Sequence, residues 1–332
     1  MKIETGEQLL EAMRDYQIPC ILAAAADLGV FENLVATPDS SDALAERLHC
    51  DLRAVTILLD ALTAIGILSK EAGQYRVPDR LAPFVQENSE QSILPMLRHQ
   101  ATCLRRWARL PWTVQGGTPA APGPSVRGDA ADHASFIEAM HVVSREVAGP
   151  LVREICPDKV RCVLDLGGAT GSWTLAWLDA APEATAILFD LPDVLPLAQR
   201  RIATSPHADR VRLVAGDFYT DPLPTGADLV WVSAIIHQNS REQNRALFQR
   251  IAAAVAPGGR VYIRDIVMAP DHTRPPAGAL FAVNMLTATQ AGNTYALAEV
   301  RQDLETASFT DVELVRQHEA MHSVVRARAP HA

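Results

Sequence analysis

The sequence has no CxxC pair, no apolar run long enough to span a bilayer, and no excess of basic charge. Each absence excludes something. The five thiols, Cys20, Cys50, Cys103, Cys156 and Cys162, are scattered and odd in number. They argue against a disulfide framework and fit a reducing cytoplasm. The run Ile18–Ala26 stops at Asp27, well short of the roughly 20 residues a spanning helix needs. The first residues carry Lys2, Glu4 and Glu7 and lack the basic-then-apolar pattern of a secretory signal. With 30 Lys+Arg against 39 Asp+Glu, a net charge of −9, the chain offers no electrostatic footprint for a phosphate backbone or an anionic membrane surface. The expectation is a cytoplasmic protein with neither nucleic acid nor membrane as partner.

What is present is a core. The chain has 332 residues, 48% apolar and 21% charged, enough for one large or two ordinary domains. No internal repeat is visible. Ile21, Leu22, Ala25 and Leu28 recur at helical spacing and stop at Gly29, a good helix terminator. Ser40, Ser41 and Asp42 are N-cap candidates for a helix over Ala43–Leu48. Val55, Leu58, Leu59, Leu62 and Ile65 form one face of a helix from Leu52, closed by Gly66. Ile67–Leu68, Gly73 and Tyr75–Val77 read as a hairpin. Helix, helix and hairpin make a winged-helix pattern. The would-be recognition helix has Arg53 as its only basic residue, whereas a groove reader needs basic and amide side chains. A packing role is therefore expected, and a winged-helix regulator or ligand sensor is the competing reading.

Residues 111–130 are rich in Pro, Gly and Ala and read as a linker. A helix over Asp132–Ile155 should follow. From Arg161 short apolar runs alternate with helical stretches. Cys162–Leu166, Ala186–Phe189, Val211–Val214, Asp228–Val232 and Val261–Ile263 are the expected strands, continuous in apolar residues as buried parallel strands are. Val312–Val315 and Ser323–Arg328 resemble an antiparallel pair. The expected domains are 1–110, a linker and connecting helix over 111–155, and an α/β domain over 156–332. The fold class is a doubly wound, mostly parallel Rossmann-like sheet behind a mainly α N-terminal domain.

The sharpest motif is Val163–Gly171, where strand residues ending in Asp165-Leu166 run into Gly167-Gly168-Ala169-Thr170-Gly171 and a helix begins. Ligands sit at such turns, at the carboxyl ends of strands. Ala169 breaks the GxGxxG fingerprint, which disfavours a nicotinamide dehydrogenase. Asp165, just before the first glycine, suits an ammonium and a sulfonium better than a pyrophosphate. Asp190 ends the next strand and can accept from both ribose hydroxyls. In Gly216-Asp217-Phe218, after the third strand, Asp217 can accept from an adenine amino group while Phe218 packs on its ring. Each acid alone reads equally well as a helix N-cap or loop residue. Three at successive strand ends point to one adenosyl ligand.

On these residues the stretch 155–328 resembles a class I S-adenosylmethionine-dependent methyltransferase. The whole chain resembles the caffeate, acetylserotonin and hydroxyneurosporene type of small-molecule O-methyltransferase. Phe189-Asp190-Leu191-Pro192, Gly216-Asp217-Phe218, the segment Ser233–Asn239 and Pro257-Gly258-Gly259 carry the likeness. Ala26–Phe31 and Leu59–Leu68 resemble that family's dimerisation domain. The resemblance implies S-adenosylmethionine as cofactor, bound by Asp165, Gly167, Gly168, Asp190, Leu191, Gly216, Asp217, Phe218 and Ser233. It implies a homodimer, a small-molecule acceptor and no metal. It assigns His237 as general base, oriented by Asp265. An imidazole near its ordinary pKa, about 6.5, suits the removal of a hydroxyl proton.

The chain departs from the family at Gln238 and Asn239, where an acid and a tryptophan are usual, and near Thr294-Tyr295, where a second acid is replaced. An S-, C- or N-methyltransferase, needing less help from a base, is therefore the alternative within the enzyme class. Trp107, Phe136, Met140, Phe281, Asn284, Met285 and Tyr295 match positions that touch acceptor in relatives, and the apolar ones read equally as core. Trp112 and Thr289 lie close by in sequence. His318-Glu319-Ala320-Met321-His322 fits the HExxH zinc string, but it joins two expected strands instead of lying on a helix, so no metal site is expected.

Overall fold

The computed structural model describes residues 3–120 and 123–330. It forms two compact units. One runs to Ala108 and includes the stretch ending at Val142; the other takes Arg109–Ala120 and everything from Val143. Division by packing is thus discontinuous in sequence and does not follow the linear boundaries at 110 and 155.

In the first unit, α1 (Gly6–Arg14) starts at Thr5, whose side chain forms a capping box with Gln8. α2 (Gln17–Leu28) ends at Gly29, left-handed at φ +77°, whose N–H donates to the Ala25 carbonyl. α3 (Val30–Ala36), β1 (Asp39–Ser40) and α4 (Ser41–Arg47) follow. α5 (Leu52–Ala64) is capped by Asp51, which accepts from the Ala54 N–H. The hairpin β2 (Ser69–Glu71) and β3 (Gln74–Arg76) turns through Ala72 and Gly73, both at positive φ. It begins two residues later than expected, because the N–H groups of Ile67 and Leu68 are bound to the end of α5. β1 adds to β3 to complete a small antiparallel sheet. α6 (Ala82–Val85) and α7 (Leu94–Trp107) complete this stretch. Phe31, Leu34, Leu44, Leu59, Leu62 and Tyr75 form the core. Val55, Leu59 and Leu62 of the expected helix face are buried, whereas Ile65 caps the helix and is exposed.

Two expectations between the units need correction. Part of the expected linker is α8 (Leu110–Gly116): Pro111 occupies its first turn, where a missing N–H is harmless, and left-handed Gly117 closes it. The helix expected over Asp132–Ile155 is two, α9 (Asp129–Ser144) and α10 (Ala148–Ile155).

The second unit is built on seven strands in the order β11-β12-β8-β7-β4-β5-β6. β4 (Cys162–Leu166), β5 (Thr185–Asp190), β6 (Val211–Ala215), β7 (Leu229–Ser233) and β8 (Arg260–Asp265) are parallel. α11 (Ser172–Ala180), α12 (Leu195–Ala203) and α13 (Arg241–Ala254) connect them. β9 (Val267–Met268) and β10 (Tyr295–Ala296) form a small parallel pair around α14 (Pro276–Ala288). α15 (Leu297–Thr306) leads to β11 (Thr310–Arg316) and β12 (Ser323–Arg328), which close the sheet antiparallel. Leu247, Phe248, Val300 and Leu304 pack one face, and Leu151, Trp173 and Trp177 the other. Strand order reverses between β4 and β7, so the C-terminal tips there form the crevice in which doubly wound folds hold ligands. Among the described residues, no single helix is long and apolar enough to cross a membrane.

Candidate active site at the strand tips

The turn after β4 is committed to a tight backbone path. Gly167, Ala169 and Gly171 have φ of +67°, +48° and +83°, a region costly for Ala169 and free for glycine. A Cβ on Gly168 would lie 2.6 Å from Leu188 Cγ, and one on Gly216 would lie 2.5 Å from Phe189 Cζ. Both loops therefore pack directly on strand side chains, with no room for a Cβ.

The three expected acids stand around this turn. Asp190 fixes it: one carboxylate oxygen accepts from the Ala169 N–H and the other from the Leu191 N–H, each at 2.7 Å. Asp217 accepts from the Tyr219 N–H at 2.8 Å. Asp165 is 1% exposed and accepts from Thr174 Oγ1 at 2.5 Å. Burial, reinforced by nearby Asp190, pushes the Asp165 carboxyl up to about 7 against the hydrogen bonds from Thr174. Neither Asp165 nor Asp217 has a cationic partner among the described residues. This donor set fits S-adenosylmethionine: acceptor-only groups for ribose and adenine, a buried acid lacking a cation, and a side-chain-free turn to lie against. The Phe218 ring lies beside Gly167, whose added Cβ would be 3.4 Å from Phe218 Cε1.

Beyond β7, Ala234 takes φ +59° and a 3-10 turn, Ile236–Gln238, presents His237. The ring is 5% exposed. Its Nδ1 lies 2.8 and 2.9 Å from the two oxygens of Asp265, at the end of β8. The Ile266 N–H donates to the same carboxylate at 2.8 Å. Asp265 thus holds the tautomer with the proton on Nδ1 and leaves Nε2 as the acceptor; Nε2 has no partner among the described residues. Phe281 of α14 meets the imidazole edge-on at 4.8 Å.

The 3-10 turn is held from behind by Asn239, noted in the sequence only as a departure from the family, and by Tyr219 and Asn244, which the sequence did not single out. Tyr219 donates to Asn239 Oδ1 at 2.5 Å, Asn239 Nδ2 donates to Asn244 Oδ1 at 2.9 Å, and Asn244 Nδ2 donates to the Ile236 carbonyl at 3.0 Å. Gln238 is exposed and donates to the Ala234 carbonyl.

Tyr295 is a correction. It is buried in the core, its hydroxyl donates to the Asn239 carbonyl, and burial pushes that hydroxyl up to about 12. It buttresses the 3-10 turn and presents no free polar group to an acceptor. Thr294, at the replaced acid, is buried with its hydroxyl on the Gly278 carbonyl. The Ser233 hydroxyl accepts from Arg264 at 2.5 Å. Asn284 and Met285 follow Phe281 on α14, Met285 buried. Trp107, Phe136 and Met140 belong to the first unit, where the Phe136 ring lies 5.1 Å from that of His99. The HExxH string lies in the loop between β11 and β12. There His318 Nδ1 accepts from the Ala320 N–H, and His322 Nδ1 accepts from Arg264.

A family model described as an O-methyltransferase domain matches residues 120–310, and one for an O-methyltransferase dimerisation domain matches residues 10–81. The chain is 31% identical over 303 residues to 3-hydroxy-5-methyl-1-naphthoate 3-O-methyltransferase of Streptomyces sahachiroi, covering 89% of this chain and 87% of that protein. It is 32% identical over 297 residues to the tetracenomycin polyketide synthesis 8-O-methyl transferase TcmO of Streptomyces glaucescens, covering 88% and 87%. Human N-acetylserotonin methyltransferase, solved in complex with S-adenosylmethionine, has the same fold, with a TM-score of 0.80 at 23% identity over 99% of each chain.

Proposed function

The chain belongs to the O-methyltransferase family and is an S-adenosylmethionine-dependent enzyme acting on a small molecule; on that premise we propose that His237 removes the proton of the acceptor hydroxyl. The observation that carries this reading is the two-oxygen grip of Asp265 on His237 Nδ1, which leaves Nε2 unpartnered. Bound S-adenosylmethionine supplies a methyl group made electrophilic by its sulfonium. A neutral hydroxyl is a weak nucleophile, so His237 takes its proton as the new bond forms. The ring becomes cationic, and the Asp265 carboxylate offsets that charge inside a site shielded from water. Phe281, packed on the imidazole, fixes the ring plane and offers an apolar wall.

The acceptor we infer is a phenolic or naphthol-like aromatic. The named activities of the relatives support this, as does the Phe281 ring packed against His237. The assembly we infer is a homodimer through residues 10–81, in keeping with the matched dimerisation domain and with Leu9, Leu10, Met13, Tyr16 and Ile18, which are large, apolar and exposed. Free thiols at all five cysteines favour a cytoplasmic setting.

The test uses a panel of phenolic and hydroxynaphthoic acceptors with labelled S-adenosylmethionine. His237→Ala should lower kcat about 10²- to 10⁴-fold, with S-adenosylhomocysteine affinity unchanged. Turnover within a few-fold of wild type would defeat the assignment of the base.

A further inference from the structure

The donor has to lie along the strand tips in a fixed order. Asp217 follows β6 and Asp190 ends β5, so adenine and ribose belong there. The sheet continues through β4 to β7 and then β8. The amino-acid end of the donor therefore runs toward β7 and β8. Adjacent strands are about 4.8 Å apart, so the step from β5 to β7 is about 10 Å, a distance that an extended methionyl chain covers.

Arg264 stands at that end. It is 3% exposed, yet no carboxylate accepts from it among the described residues. Nη1 donates to Ser233 Oγ at 2.5 Å, Nε donates to His322 Nδ1 at 3.3 Å, and the guanidinium lies 4.6 Å from the centre of the Trp173 ring. All three partners are neutral, since burial holds the His322 ring down to about 4. The neighbouring Asp265 points to the opposite sheet face, where it is occupied by His237. Nη2 has no partner and is not among the sealed, unsatisfied atoms, so it keeps a path to solvent. A buried cation without a counter-anion is costly and survives where a ligand completes it.

The placement is specific. Ser233 and Arg264 are register partners across β7 and β8, so their side chains share a face. Trp173 belongs to the first turn of α11, just past the glycine turn. We propose that Arg264, steered by Ser233, binds the carboxylate at the amino-acid end of the methyl donor. Arginine suits this because its planar fork matches a carboxylate with two parallel hydrogen bonds. The proposal rests on S-adenosylmethionine as donor.

Calorimetric titration with two probes separates the possibilities. One is S-adenosylhomocysteine; the other is its decarboxylated analogue, which keeps the adenosine, thioether and amine. Arg264→Met should bind S-adenosylhomocysteine roughly 10- to 100-fold more weakly and the analogue as wild type does. Arg264→Lys, which keeps the charge without the fork, should fall between, and Ser233→Ala should show a smaller loss with the same selectivity. Equal losses for both probes, or none, would overturn the proposal. Should Arg264→Met fail to fold, wild type still decides, because equal affinity for the two probes contradicts a carboxylate clamp. Wild type binding neither probe would remove the donor reading itself, a result distinct from the others.

Discussion

Replacing Asp165 by Asn should stabilise the ligand-free protein at pH 8 and weaken its hold on the methyl donor. Burial is the main influence on this carboxyl, which it carries from 3.8 up to about 7. Ionising such an acid inside the fold costs up to about 4 kcal/mol once the pH exceeds 7. The folded chain binds this proton more tightly than the unfolded chain does. The stabilisation is therefore complete below about pH 4 and is lost as the pH rises through 7. An asparagine does not ionise, and its amide oxygen can still accept from Thr174. The wild-type Tm should therefore fall between pH 5 and pH 8 relative to the variant. At roughly 2–4 °C per kcal/mol, the gap at pH 8 should reach several degrees. A cationic donor reverses the balance by favouring the ionised acid. Wild type should then release a proton on binding S-adenosylmethionine at pH 6.5, seen as a binding enthalpy that varies with buffer, whereas Asp165→Asn should release none and bind more weakly. Parallel Tm curves for the two proteins from pH 5 to pH 8, or unchanged proton release, would refute the reasoning.

Gly168→Ala puts a Cβ 2.6 Å from Leu188 Cγ and 3.1 Å from the Asp165 carboxyl carbon. It should cost about 1–3 kcal/mol in denaturant unfolding and displace the turn enough to weaken S-adenosylhomocysteine binding. Tyr295→Phe removes the bond to the Asn239 carbonyl and should cost about 1 kcal/mol of stability with the KM for the acceptor unchanged; a large rise in KM would return the ring to the acceptor pocket.

Most strands were legible because strands buried on both faces are written as apolar runs; Cys162–Leu166 and the antiparallel Ser323–Arg328 have the expected bounds, and the others differ by a residue or two. The acids at the tips were legible for the same reason, since each follows a recognisable strand. α8 was hidden in a stretch whose Pro and Gly content signals a loop, although Pro111 and Gly117 sit where a helix tolerates them. The break between α9 and α10 is marked in the sequence only by Gly149-Pro150, just inside the start of α10. Nothing in the sequence around Arg264 marks it. Its partners, Ser233, His322 and Trp173, come from three separate segments and meet only in the fold. Tyr219 and Asn244 were silent in the same way, and Asn239 was visible only as a departure from the family; the three become a chain of hydrogen bonds only when folded.

That chain also accounts for how the site does without its second acid. A base held by two carboxylates carries more buried negative charge than one imidazolium can offset, and each added buried charge has a desolvation cost. Here one carboxylate, Asp265, contacts Nδ1 with both oxygens and is itself held by the Ile266 N–H. The second position is Thr294, turned to the Gly278 carbonyl. Orientation is supplied by neutral groups: Asn244 holds the Ile236 carbonyl, Asn239 ties Asn244 to Tyr219, and Tyr295 holds the Asn239 backbone. On the proposed role of His237, charge compensation falls to one acid and positioning of the turn to an amide–phenol network. Because Tyr219 also belongs to the loop carrying Asp217, that network runs from the adenine end of the donor site to the turn that carries the proposed base.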